Sequence, residues 1–138
     1  MQSQLTTQLH EIVWLMDRHA DRWLKATHGI SFAQFHVLII LHTVAPISQK
    51  GLAECLFYSD AAVSRMVKVL PDYITVTATL GRTRMLSLTP KGMKLAQSSA
   101  KHLEKMFCEI VKKSGVNIST YHGTTTRIRK ILFELARN

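Results

Sequence analysis

A chain of 138 residues that is 46% hydrophobic can bury a core of its own, and one domain is expected; 18 Lys and Arg against 9 Asp and Glu make it strongly basic. No apolar run approaches the ~20 residues that span a bilayer, and the opening MQSQLTTQLHEI lacks the basic-then-apolar order of a leader, so no membrane contact and a cytoplasmic location are expected. Cys55 and Cys108 form neither a C-x-x-C pair nor a Cys/His cluster, which predicts two buried or bystander thiols, no metal and no cofactor.

Residues 5–26 carry Leu5, Leu9, Ile12, Val13, Met16, Ala20, Trp23 and Leu24 at helical spacing, a long helix ended by His28-Gly29. Ser31 and Gln34 then read as a capping box, each satisfying the other's free N–H, ahead of a second helix from Phe35 to Val44. That segment is apolar almost all round and is expected to be central. His36 and His42 stand six apart, off a common face, and do not read as a metal pair.

After Ala45-Pro46, residues 47–70 divide into two short periodic segments. Ile47, Leu52, Ala53 and Leu56 share the face of a first helix capped by Ser48. Phe57-Tyr58 interrupts, Ser59 caps again, and Val63, Met66, Val67 and Leu70 form a second stripe that Pro71 stops. Two helices joined so tightly predict a helix-turn-helix, with Ala61, Ser64, Arg65 and Lys68 on the solvent side of the second. Small, polar and cationic side chains on that face suit a phosphate-lined groove.

The period then changes to two. Tyr73 to Thr79 alternates apolar residues with Thr, Leu80-Gly81 signals a turn, and Arg82 to Leu88 returns, so a β-hairpin follows the helix pair and completes a winged helix. Its tip would present Arg82 and Arg84. Thr89-Pro90 starts a helix reaching about Lys113 through Leu95, Ser99, Leu103, Met106 or Phe107, and Ile110; Ser114-Gly115 breaks it. A last helix, about 119–136, bears Ile128, Ile131, Leu132 and Leu135. The fold class expected is mostly α with a small hairpin, residues 31–92 forming the winged helix and 1–28 and 93–138 the flanking helices.

The charge is placed unevenly. Residues 1–60 hold four basic and five acidic side chains; residues 61–101 hold seven basic (Arg65, Lys68, Arg82, Arg84, Lys91, Lys94 and Lys101) and only Asp72 acidic. A basic block beginning at the second helix of the pair points to a polyanionic partner. No nucleophile–base pair has the spacing that catalysis would need, so no enzyme is expected.

In this order the chain resembles the MarR family of bacterial transcriptional regulators. The likeness is carried by Gln34-Phe35-x-Val37-Leu38, by Leu52-Ala53-Glu54-x-Leu56, by Ser64-Arg65-x-Val67-x-x-Leu70, and above all by Arg82-x-x-x-Leu86-x-Leu88-Thr89-x-x-Gly92. The resemblance implies a homodimer with interlocked terminal helices, bound to a pseudo-palindromic operator in double-stranded DNA. It also implies a repressor released by a small, often aromatic, effector or by cysteine oxidation. Carried onto this chain, the DNA-facing set is Ser48, Gln49, Ser59, Ala61, Ser64, Arg65, Lys68, Arg82 and Arg84. Trp14, Met16, His19 and Trp23 are candidates for an effector pocket, with plain packing as the competing reading. The pattern departs from the family at a short wing, at Leu80 where an acidic partner for Arg82 is usual, and at Phe57 where Gly often ends the helix. The alternative function is a winged-helix module that faces a protein or RNA.

Overall fold

The computed structural model describes residues 4–137, apart from the side chains of 77–80. The start of the leader reading and the side chain of Leu80 therefore lie outside the described residues. Contacts divide the chain into two compact units, one ending at Lys101 and the other starting at His102.

The first unit begins with helix α1 (Leu5–His28) and helix α2 (Phe32–Val44). Gly29 turns the chain between them at φ 68°, a left-handed conformation that glycine takes without cost. The expected capping box is present: Ser31 Oγ accepts from Gln34 N at 3.1 Å and Gln34 Oε1 accepts from Ser31 N at 2.8 Å. Asp21 of α1 adds a second tie, accepting from Phe32 N at 2.9 Å while pairing with Lys25 at 2.7 Å. Those two bonds hold its carboxyl below the usual carboxylate range, the Lys25 bond first. Asp17, one turn earlier, is shifted up by burial, and His36 opposes the shift.

Four residues of α2, Phe35, Val37, Leu38 and Leu41, are buried, as its all-round apolar sequence requires. Leu24, Leu52 and Val63 complete a core to which α1, α3 (Gln49–Leu56) and α4 (Asp60–Lys68) each contribute. Strands β1 (Ile47–Ser48), β2 (Ile74–Leu80) and β3 (Thr83–Leu88) form an antiparallel sheet in the order β1-β3-β2.

The structure differs from expectation at Ile47 and at the hairpin turn. Ile47, expected on the face of the first short helix, lies in β1 opposite Leu86; pairing with β3 draws it off the helix, which starts only after the Ser48 cap. The hairpin turn is Gly81-Arg82, one residue later than expected, because Leu80 pairs with Thr83 and Gly81 supplies the positive φ of 62°. A bulge between Val76 and Ala78 takes up the extra residue on β2.

Helix α5 (Pro90–Lys113) starts at a tightly built joint. Thr89 donates N–H to Tyr73 O (2.9 Å) and its hydroxyl to Asp72 O (2.7 Å), while its Oγ1 accepts from Gly92 N (3.0 Å). Lys91 reaches Asp72 at 3.4 Å and lies over the Tyr73 ring. The Thr89-x-x-Gly92 stretch is thus the joint between the exit of α4 and the next helix.

The second unit holds the end of α5 and helix α6 (Ile118–Ala136), which begins one residue before the expected start because Asn117 caps it, accepting from Thr120 N at 3.1 Å. Phe107 and Tyr121 meet edge to face. Ile110, expected in the apolar stripe of α5, is 49% exposed, while its neighbour Val111 is buried, and no described residue of α6 is buried.

Candidate nucleic-acid interface

Helices α3 and α4 form the helix-turn-helix, each started by a serine. Ser48 Oγ accepts from Gly51 N and Ser59 Oγ from Ala62 N, both at 3.1 Å, so each hydroxyl satisfies a first-turn N–H that has no helical partner. These serines are therefore occupied as caps, while Gln49 follows as the first residue of α3. Between the helices, Phe57 takes φ 55° and ψ 34°, and its N–H closes α3 onto Ala53 O and Glu54 O. Tyr58 N bonds Ala53 O. Phe57, Tyr58 and Asp60 border an open, shallow cleft with Lys50, Ala53 and Glu54.

Val63 is fully buried on α4, Met66 and Val67 are partly covered, and Leu70 is buried just beyond. That stripe fixes which side looks out. Ala61, Ser64, Arg65 and Lys68 fall within an arc of about 100° on the opposite side. Ala61, Arg65 and Lys68 are exposed and Ser64 is half-buried. Arg82 in the turn and Arg84, paired across from Thr79, are exposed at the hairpin's end. Among the described residues no ion pair engages Arg65, Lys68, Arg82 or Arg84. Cationic groups without an internal partner leave their donors for an outside anion. Cys55, on α3, is exposed rather than buried; Cys108 is half-buried, its Sγ 3.7 Å from Glu104.

The candidate effector residues are not brought together. Met16, His19 and Trp23 lie within about 60° on α1, but Trp14 is about 180° from Trp23. Trp14 is 57% exposed and carries Arg18 over its ring at 5.0 Å; Trp23 meets His28 edge-on at 5.4 Å. One helix therefore cannot turn all four into one pocket. No described helix is long and apolar enough to cross a membrane.

Phe57, Tyr58 and Asp60, which border the open cleft, are not among the candidate residues the sequence pointed to. The signal available was Phe57 itself, an apolar residue where a left-handed helix end was expected.

A helix pair whose second member turns a cationic face outward, followed by a hairpin with arginines at its end, defines a winged helix-turn-helix protein. Its fold is that of the MarR-family transcriptional regulators, and residues 28–72 match the model of the MarR family. The chain is similar to the transcription regulator MepR of Staphylococcus aureus, 21% identical with a TM-score of 0.72, covering 96% of this chain and 99% of that one. The same regulator in its DNA complex matches with a TM-score of 0.78 at 21% identity, covering 97% and 99%. Wild-type MarR of E. coli in its apo form matches at 0.76 and 20% identity, covering 96% and 99%. At such identities the likeness establishes the fold. No curated protein matches in sequence.

Proposed function

We propose that this protein is a dimeric, sequence-specific DNA-binding regulator of transcription. The observation that carries the reading is the outward face of α4, where Arg65 and Lys68 stand exposed beside the small Ala61 and half-buried Ser64. Small residues let a helix approach base edges, and Arg reads guanine through two hydrogen bonds. In this reading Arg65 and Ser64 face the major groove and Lys68 lies near phosphate. Gln49, at the start of α3, and the wing's Arg82 and Arg84 hold the flanking backbone, with Ser48 and Ser59 setting the approach of the two helix ends. The likeness to a regulator solved with DNA supports the same assignment.

Dimerisation rests on apolar surface left open. Leu5, Leu9 and Ile12 on α1 are 45–71% exposed, and Ile128, Ile131 and Leu135 on α6 are 47–65% exposed. Apolar stripes of this length on a lone chain invite association, and a second copy is the simplest cover. Two-fold symmetry would set two recognition helices about 34–36 Å apart for half-sites one turn apart. The family likeness supports a repressor role, with release by a small aromatic effector. Stabilisation by aromatic acids in a thermal-shift screen is the expected sign of such an effector, and none at millimolar concentration would argue against that class.

The test is a salt titration on a duplex selected by the protein from a randomised pool, against a scrambled duplex. Affinity should fall steeply with salt while the preference persists, and Arg65→Ala should cost about 1–3 kcal/mol on the selected duplex alone. Equal affinity for both duplexes would turn the reading toward a protein or RNA partner.

A further inference from the structure

Phe57 is 80% exposed, more than any other large apolar side chain described, and it is the one described non-glycine residue with positive φ. Both facts count against phenylalanine there. The left-handed backbone crowds its Cβ against its own carbonyl, and a ring left in water adds nothing to the core. Glycine would close the same turn through the same bonds to Ala53 O and Glu54 O without strain. A residue that neither packs nor suits its backbone is explained by what it meets outside the chain.

Its position says what that is. Tyr58, 38% exposed, comes next, then the Ser59 cap, so the ring stands three residues ahead of Asp60, the first residue of the recognition helix, at the end that approaches base edges. Glu54 and Asp60 share its cleft, and two carboxylates against the one Lys50 ammonium oppose a phosphate there. A base edge remains. In the major groove only thymine offers an apolar group, its C5-methyl, and phenylalanine is among the side chains that contact it.

We infer that Phe57 is a specificity-determining residue whose ring covers the 5-methyl group of a thymine in each half-site; this rests on the DNA-binding reading above. The experiment uses the full-length protein and a duplex that it selects from a randomised pool. Thymidines are replaced singly by deoxyuridine, which removes only the methyl group. Wild type should lose about fourfold in affinity at one thymine per half-site, the value of one methylene-sized group returned to water. Phe57→Gly and Phe57→Asn should bind the thymine and uracil duplexes alike, with melting temperatures at or above that of wild type, since both residues accept the left-handed backbone. No methyl-sensitive thymine, or the same sensitivity in both variants, overturns the assignment and leaves DNA binding standing. A lowered melting temperature in both variants overturns it too, because the ring would then be packed within the chain. Enrichment of no sequence by wild type would remove the DNA-binding reading and this inference with it.

Discussion

Replacing Gly92 by alanine tests whether the joint at the start of α5 holds the winged helix together. A Cβ at position 92 would stand 3.0 Å from the carbonyl carbon of Tyr73 and 3.1 Å from its Cα, and would overlap its carbonyl oxygen. All three are backbone atoms, so no side chain can swing aside. The start of α5 must move by about 1 Å to restore ordinary contact distance. That movement pulls on the bonds from Thr89 to Tyr73 O and Asp72 O and from Gly92 N to Thr89 Oγ1. At about 1 kcal/mol net for each bond, and allowing for partial relaxation, Gly92→Ala should destabilise by about 2–4 kcal/mol. For a domain of roughly 100 residues this lowers the melting temperature by about 10 °C or more, readable by circular dichroism at 222 nm. A melting point within 1–2 °C of wild type would refute the reasoning, since backbone that yields so easily cannot be what positions the helix and the wing.

Arg82→Ala, which removes a charge from the hairpin turn, should weaken binding to all duplexes similarly and make the salt slope shallower by about one unit; a changed base preference with an unchanged slope would contradict this. Ile131→Asp places a carboxylate on a 57% exposed apolar site of α6 and should abolish both the dimer and operator binding, read by sedimentation; a stable wild-type monomer at micromolar concentration would overturn the proposed dimer. Asp17→Asn should raise the melting temperature at pH 7. Burial shifts the Asp17 carboxyl up, so its ionised form costs stability above the carboxylate's unfolded range, and the advantage of Asn should vanish as pH falls below that range. An equal gap at pH 7 and pH 3 would show that the change acts through packing instead.

Much of the fold was legible because its punctuation is local. The caps at Ser31, Ser48, Ser59 and Thr89 close hydrogen bonds within three residues, so a serine or threonine ahead of an apolar period is sufficient to mark a helix start. The outward face of α4 was legible for a similar reason, since burying Val63 and its stripe leaves Arg65 and Lys68 nowhere to go but solvent. Strand β1 was not legible. Ile47 continues the apolar spacing of the helix after it, and only pairing with Leu86, far along the chain, makes it a strand. The scattering of the four α1 residues was implicit in their spacing and visible only once the helix was placed. Phe57 marks the opposite limit: its type argues for a core position, and the turn between α3 and α4 sets it in solvent with a left-handed backbone. Composition and spacing therefore determined which residues form helices, which side of α4 is polar and where the basic charge lies, because those follow from covalent order and local hydrogen bonding. Tertiary structure decided the β1–β3 pairing and the Gly92–Tyr73 joint, because each depends on backbone atoms brought together from distant segments; it also left Phe57, held in a locally bonded turn, 80% exposed.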